Sequence, residues 1–205
     1  MSANLAAFML TDNRQLYRLF LRVLPDGTPG APAWFCDGST PCRFDLPAPA
    51  GTCYVADTAF GAFVERFLRI GRDCGIAMDE VGKRRLATVG VSEAVRLIDL
   101  NQPQNLFKHG ITPQLVHEMG PPYPLSTAFA VSAHSEDFDG VRYLSQRDIT
   151  SSEVCMAVFA PTSGADTGKI FDVHHEGPIR RELVEVVAAT FEVPILWSAS
   201  SHSPN

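Results

Sequence analysis

Six short runs of largely apolar residues, each bounded by turn-forming residues, predict β-strands. Successive side chains of a strand point to opposite faces, so each run can bury one face in a core. In the first run, residues 15–23, Arg18 and Arg22 fall on the same side. The other runs cover residues 52–56, 85–91, 94–100, 141–144 and 154–160.

Apolar residues at helical spacing predict a helix directly after the second of these strands. We expect Asp57 to cap it. Its apolar stripe, which should face the core, consists of Phe60, Phe63, Val64, Phe67 and Leu68. Glu65 lies off this stripe, above Gly61 and Ala62. These small neighbours should leave open space for a ligand beside the carboxylate.

Two further helices are predicted nearer the carboxyl end. One covers residues 126–135 and ends before a turn at residues 137–140. Pro178 should open the other, whose apolar stripe consists of Ile179, Leu183, Val186 and Val187. Strands and helices interleave without strict alternation, which favours an α+β fold, a mixed β-sheet with flanking helices.

The remaining segments predict loops. Residues 25–50 are rich in Pro and Gly and should be ordered but irregular, residues 162–169 should be flexible, and the polar tail at 198–205 should be mobile. A length of 205 residues with 45% hydrophobic residues fits one domain with a full core. We therefore expect a single domain over residues 1–205, in which residues 176–197 form a C-terminal helix and short strand.

The charge balance narrows the choice of partners. With 17 Lys and Arg against 23 Asp and Glu, the net charge is −6. A general attraction to nucleic acid or to an anionic membrane is not expected, so any bound anion must be held locally. The amino-terminal residues lack the features of a signal peptide, and no stretch approaches membrane-spanning length, so we expect a cytoplasmic protein.

Cysteine and histidine usage gives no sign of a metal site. The five cysteines are odd in number and irregularly spaced, which fits neither a disulfide framework nor paired zinc ligands and favours reduced thiols. The six histidines likewise lack zinc-like spacing, and His174 and His175 are expected at the surface. No metal is therefore predicted.

Four residues suggest a nucleotide site. Arg43 can donate two hydrogen bonds to a phosphate, Tyr54 offers a flat face to a heteroaromatic ring, and Glu65 can stabilise a developing cation, with Ser145 far downstream. Each also has a simpler interpretation. Arg43 could pair with Asp45, Tyr54 could be a core aromatic, Glu65 a solvated helix position and Ser145 a strand-end hydroxyl.

The order of several short motifs resembles the RES domain family, named for an arginine, a glutamate and a serine. The blocks around Arg43, Tyr54 and Glu65 match its first part, and residues 139–145, Asp-Gly-Val-Arg-Tyr-Leu-Ser, match its Asp-Gly-x-x-Tyr-x-Ser motif. The family's early Tyr-Arg is matched at residues 17–18, and its Ile/Leu-Asp-Leu strand is matched at residues 97–100, Leu-Ile-Asp-Leu. The resemblance places a RES-like domain at residues 12–175.

The resemblance implies a fold similar to ADP-ribosyltransferases and an enzyme that degrades NAD. Glu65 would then stabilise the cationic ribose, Arg43 helped by Arg18 would hold the diphosphate, Tyr54 would border the nicotinamide, and Ser145 would hydrogen-bond the ribose or the amide. NAD would be a substrate, no cofactor would be needed, and water or inorganic phosphate would attack. The usual partner in the family is an Xre-type helix-turn-helix antitoxin, so the chain would be a toxin.

Departures from the family pattern leave other functions open. Pro41, Cys42 and Asp45 stand in the arginine loop where the family often has Gly-Gly before the arginine and Asn or His after it. One alternative is a mono-ADP-ribosyltransferase, although no second Glu or Gln stands close before Glu65. Another is a non-catalytic module that binds a nucleotide or a partner. The apolar residues 178–191 and 193–197 also predict a homodimer, or else packing back onto the body.

Overall fold

An eight-stranded mixed β-sheet forms the body of the protein. The computed structural model describes residues 7–36, 42–68, 75–108, 111–118, 120–148, 150, 152–165 and 169–197. The strands are β1 (Ala7–Leu10), β2 (Leu16–Leu21), β3 (Trp34–Phe35), β4 (Gly51–Ala56), β5 (Ile76–Ala77), β6 (Arg84–Val91), β7 (Val95–Asp99), β8 (Gly140–Leu144), β9 (Val154–Ala160), β10 (Gly164–Ala165), β11 (Phe171–Pro178) and β12 (Ile195–Leu196).

Six helices accompany the sheet in the described part of the chain, and three of them lie in the connection between β7 and β8. They are α1 (Ala59–Phe67), α2 (Met78–Gly82), α3 (Pro103–Lys108), α4 (Pro113–Val116), α5 (Pro124–Ser135) and α6 (Arg181–Thr190). Among the described residues, no helix is both long enough and apolar enough to cross a membrane.

The sheet has the strand order β1-β7-β8-β9-β4-β2-β6-β11. Strands β7 and β8 run parallel, and the other neighbouring pairs run antiparallel. Parallel neighbours need a crossover connection, and α3, α4 and α5 lie in it. The α+β fold class with a mixed sheet and flanking helices is therefore confirmed, as are the six predicted strands.

The two faces of the sheet carry separate cores. One face packs against α5 and includes Ala56, Tyr143 and Ala157, with Tyr54 partly buried against it. The opposite face includes Leu16, Cys53 and Val158. Residues two apart along a strand share a face. The residues of these two cores therefore show which face each neighbouring side chain of the strand points to.

Helix α1 forms as its apolar stripe predicts. Phe63 and Val64 are buried in a third core that α6 completes with Val184 and Val187. The predicted cap is wrong by one residue. The Thr58 hydroxyl accepts a hydrogen bond from Gly61 N at 2.7 Å, whereas the Asp57 carboxylate accepts from Arg14 Nε at 3.0 Å. An arginine partner draws the aspartate away from the helix end.

The carboxyl-terminal prediction needs correction. Pro178 ends β11 and does not open a helix, since α6 begins at Arg181, and Val186 is exposed, with Val184 buried in its place. Strand β11 was not predicted because it lies at the sheet edge and its register shifts between Val173 and His175, which breaks the two-residue period. His174 and His175 are both exposed, as expected.

Some predictions fall partly or wholly outside the described residues. The tail at 198–205, residues 166–168 and Pro41 lie there. Within the predicted loops, β3 and β10 pair with each other. Trp197 at the end of the C-terminal segment stays exposed beneath the guanidinium of Arg181. The homodimer stays a prediction.

The glycine that opens β8 is required by close strand packing. A Cβ atom at Gly140 would lie 2.2 Å from the backbone oxygen of Ala157 and 2.8 Å from the Leu97 side chain. We expect Gly140→Ala to lower the free energy of unfolding by about 1–3 kcal/mol. Gly82→Ala is the matched control, because a Cβ there meets no atom within 4 Å. Urea denaturation compares the two, and equal midpoints would contradict the prediction.

Candidate active site

Arg43 lies in the turn that precedes β4, and its side chain is buried. One terminal nitrogen of its guanidinium donates to the backbone oxygens of Val116 at 2.7 Å and Leu115 at 3.3 Å. The group lies over the ring of Tyr143, with 5.4 Å to the centroid. Among the described residues it makes no ion pair, so the alternative pairing with Asp45 is wrong.

The other two nitrogens of the Arg43 guanidinium have no hydrogen-bond partner among the described residues. Its Nε and Nη1 atoms are buried and have no hydrogen bond within the part of the chain that the structure describes, although the side chain is only 8% exposed. Burial lowers the pKa of Arg43, while Tyr143 and Glu65 oppose this shift. Buried donors are nearly always paired in native proteins. Two unpaired donors on a buried cation therefore indicate a place for an anionic acceptor.

Glu65 and Ser145 meet across 80 residues of sequence. The Ser145 hydroxyl donates to Glu65 Oε2 at 2.5 Å. Ser145 is two residues after Tyr143 at the end of β8 and so continues the same face of the sheet. Burial raises the pKa of Glu65, and the Ser145 hydrogen bond and the charges of Arg147 and Arg43 oppose that shift. Glu65 is therefore a half-buried carboxylate whose pKa stays above its ordinary value, although Ser145, Arg147 and Arg43 all favour its ionised form.

The space beside Gly61 is not open, contrary to the prediction. A Cβ at Gly61 would lie 2.4 Å from Glu153 Oε2, which accepts a hydrogen bond from Thr58 at the start of α1. The backbone oxygen of Glu153 in turn accepts from Ser145 N at 2.8 Å. Glu153 thus fills the amino-terminal side of α1 and fastens it to the strand end that carries Ser145.

A further buried carboxylate, which the sequence analysis does not single out, lies after Ser145 and binds the described residues that lead to β9. Asp148 is 3% exposed and accepts from Thr150 N at 3.0 Å, Ser152 N at 2.8 Å and Glu153 N at 3.0 Å. Burial raises its pKa, but the hydrogen bonds from Thr150 and Ser152 outweigh this and hold it well below the usual range. An Asp followed by Thr and Ser at these spacings is typical of such a turn.

Tyr54 faces the side of β4 that the alternation predicts. Its hydroxyl donates to Asp45 Oδ1 at 2.7 Å and accepts from Phe44 N at 3.1 Å. Burial, followed by the charge of Asp45, raises the pKa of Tyr54 well above its usual value. Both hydrogen bonds of the hydroxyl are therefore made to the preceding turn. The ring is the part of Tyr54 that remains to contact a ligand.

A second tyrosine joins the site without having been assigned a role. Tyr143 is 3% exposed, and its ring centroid lies 5.1 Å from that of Phe44. Burial, then the charge of Glu65, raises the pKa of Tyr143 well above its usual value. Tyr54 and Tyr143 flank β9, which places the small residues Ala157 and Cys155 opposite them. The Asp-Gly-x-x-Tyr-x-Ser motif was the available signal.

Arg18 does not join this cluster. It lies between Leu16 and Phe20, which both belong to the core on the other face of the sheet. Its guanidinium donates to the sulfur of Cys53 and to the backbone oxygen of Trp34. The structure therefore brings together Arg43, Tyr54, Glu65 and Ser145, and places Arg18 on the opposite side.

Comparisons with known proteins give a family and a fold. The model of the RES domain family matches residues 15–176. No curated protein matches the sequence. Among solved structures, the chain is similar to one in the crystal structure of the M. tuberculosis MbcT–MbcA toxin–antitoxin complex, with a TM-score of 0.60 and 16% identity, over 88% of this chain and 92% of that one. At this identity the likeness shows the fold.

Proposed function

Because the chain belongs to the RES domain family, we propose that it is an NAD-degrading enzyme that cleaves the bond between nicotinamide and ribose. The observation that carries the proposal is the buried guanidinium of Arg43, which keeps two unpaired donors in a cluster that also holds the carboxylate of Glu65. An anionic nucleotide whose reacting ribose becomes cationic matches both charges.

Arg43 holds the diphosphate of NAD. Its Nη2 atom donates to the backbone oxygens of Leu115 and Val116. The Nε and Nη1 atoms are left to donate to phosphate oxygens. A planar guanidinium fixed in this way is already oriented for an anion, so little side-chain entropy is lost when NAD binds.

Glu65 stabilises the transition state. Breaking the nicotinamide–ribose bond moves electrons to the nicotinamide and leaves positive charge on the ribose, which an ionised carboxylate attracts most strongly where water is excluded. Ser145 holds this carboxylate in place through its hydroxyl. Tyr54 contributes the ring that borders the nicotinamide. Water or inorganic phosphate then attacks the ribose.

We infer that a protein partner restrains this activity. An enzyme that consumes NAD drains its host, so a protein that covers the site is needed, and an antitoxin is the natural candidate. The similar chain of known structure was crystallised in a toxin–antitoxin complex. The net charge of −6 fits a basic, DNA-binding antitoxin of the Xre type.

The direct test is product identification. The purified protein is incubated with NAD, with and without inorganic phosphate, and the products are separated. Free nicotinamide with ADP-ribose indicates hydrolysis, and a phosphorylated ADP-ribose formed only with phosphate indicates phosphorolysis. ADP-ribose found on protein side chains would instead support a transferase. Intact NAD after prolonged incubation with folded protein would overturn the proposal.

The raised pKa of Glu65 predicts how activity depends on pH. Only ionised Glu65 can stabilise the ribose cation, and burial raises its pKa. As pH falls through that raised pKa, kcat/KM should fall, at a pH above the ordinary glutamate value of about 4.3. Ser145→Ala removes a hydrogen bond that opposes the shift, so its acid limb should lie at still higher pH. Identical acid limbs in the two proteins would contradict this account.

A further inference from the structure

The turn that presents Arg43 is tied to β4 by side chains. The Thr52 hydroxyl donates to the backbone oxygen of Phe44 at 3.2 Å and accepts from Leu46 N at 3.0 Å. The Tyr54 hydroxyl accepts from Phe44 N at 3.1 Å. The place of the turn therefore depends on where these two side chains are held.

Asp45 joins the beginning of this turn to Tyr54. Its carboxylate is 4% exposed, and each of its oxygens accepts a hydrogen bond. Oδ1 accepts from the Tyr54 hydroxyl at 2.7 Å, and Oδ2 accepts from Cys42 N at 2.7 Å. The bond from Cys42 to Asp45 closes a ring that contains Arg43, and the bond from Tyr54 fixes this ring to β4.

We propose that Asp45 is a positioning residue, whose carboxylate fixes both the Arg43 turn and the ring of Tyr54 for the binding of a nucleoside diphosphate. This inference rests on the function proposed above for the same site. Asp45 acts through Tyr54 and Cys42 and does not itself touch the substrate. A carboxylate is needed because both oxygens must accept, whereas the side chain of asparagine has one acceptor and one donor group.

The test is the affinity of Asp45→Asn for ADP, measured by calorimetry, together with its NAD kinetics. We expect the Kd for ADP and the KM for NAD each to rise about tenfold, the effect of losing one charge-assisted hydrogen bond. The value of kcat should stay near that of the wild type, since Glu65 and Ser145 lie on other elements. A purely structural role would lower stability and leave Kd and KM unchanged.

Asp99→Asn is the matched control. Asp99 is 2% exposed and likewise uses both oxygens, accepting from Arg142 at 2.7 Å and from Asn101 N at 2.9 Å. It precedes Leu100 and follows Ile98, which belong to the core on the face of the site, so it points to the other face. This variant should lose stability while keeping the wild-type Kd for ADP.

Tyr54→Phe provides a second measurement if Asp45→Asn does not fold. It keeps the ring but removes the hydroxyl that joins Asp45 to Phe44, and should raise the Kd for ADP to a similar extent. An unchanged Kd in either folded variant, or a wild type that does not bind ADP, would overturn the inference. A wild type that binds ADP but leaves NAD intact would overturn the proposed function instead.

Discussion

Glu65→Gln is expected to lower the rate of NAD cleavage by about 100-fold or more, the largest effect predicted for a single change in this protein. Glutamine keeps the size of the side chain and can still accept the hydrogen bond from Ser145, so the change removes the negative charge and turns only the other oxygen into a donor group. Without that charge the cationic ribose loses its stabilising partner. The rate is measured as release of nicotinamide under saturating NAD.

The same variant should not lose stability at neutral pH. Burial raises the pKa of Glu65, so the ionised carboxylate opposes folding above that pKa and the neutral glutamine does not. Glu153→Gln is the matched control, because its carboxylate lies beside the same helix but bonds to Thr58. Near-normal turnover by folded Glu65→Gln, or an equal loss in Glu153→Gln, would count against the role of Glu65.

Arg43→Lys should raise the Kd for NAD by about 10- to 100-fold, since hydrogen bonds between charged groups are worth about 1.5–3 kcal/mol. Lysine keeps the positive charge but loses the planar group that bonds to the oxygens of Leu115 and Val116 while its other nitrogens donate to the substrate. Calorimetry with a nonreactive nucleotide, or with NAD in the Glu65→Gln background, measures the affinity.

Arg18→Lys distinguishes the site from general effects of removing a buried arginine. Arg18 is 7% exposed, similar to Arg43 at 8%, but its guanidinium bonds to Cys53 and Trp34 on the other face of the sheet. It should lower stability and leave the Kd for NAD unchanged. A comparable loss of affinity in both variants would mean that the diphosphate is not held where the unpaired donors of Arg43 lie.

The sequence alone predicted the elements whose residue pattern is local. The stripe of α1 and the alternation along β4 follow from the spacing of apolar residues, so Glu65 was placed off the core stripe and Tyr54 on its correct face. Motif order then singled out Arg43 and Ser145. These predictions needed no knowledge of which distant segments come together.

Contacts between distant segments could not be predicted in this way. The backbone oxygens that hold Arg43 are 72 and 73 residues away, and nothing in the composition of residues 115–116 marks them as acceptors. Alternation shows that Arg18 and Tyr17 lie on opposite faces, but not which face carries the site. The register shift in β11 interrupts the two-residue alternation by which a strand is predicted from sequence.

The span between Glu65 and Ser145 sets the order of events during synthesis. The two residues are 80 positions apart, and at a translation rate of 5–20 residues per second Ser145 emerges about 4 to 16 seconds after Glu65. Strand β9, which lies between the strands of Tyr54 and Tyr143, is made later still. A nascent chain therefore has no assembled site on the ribosome until most of its length has been translated.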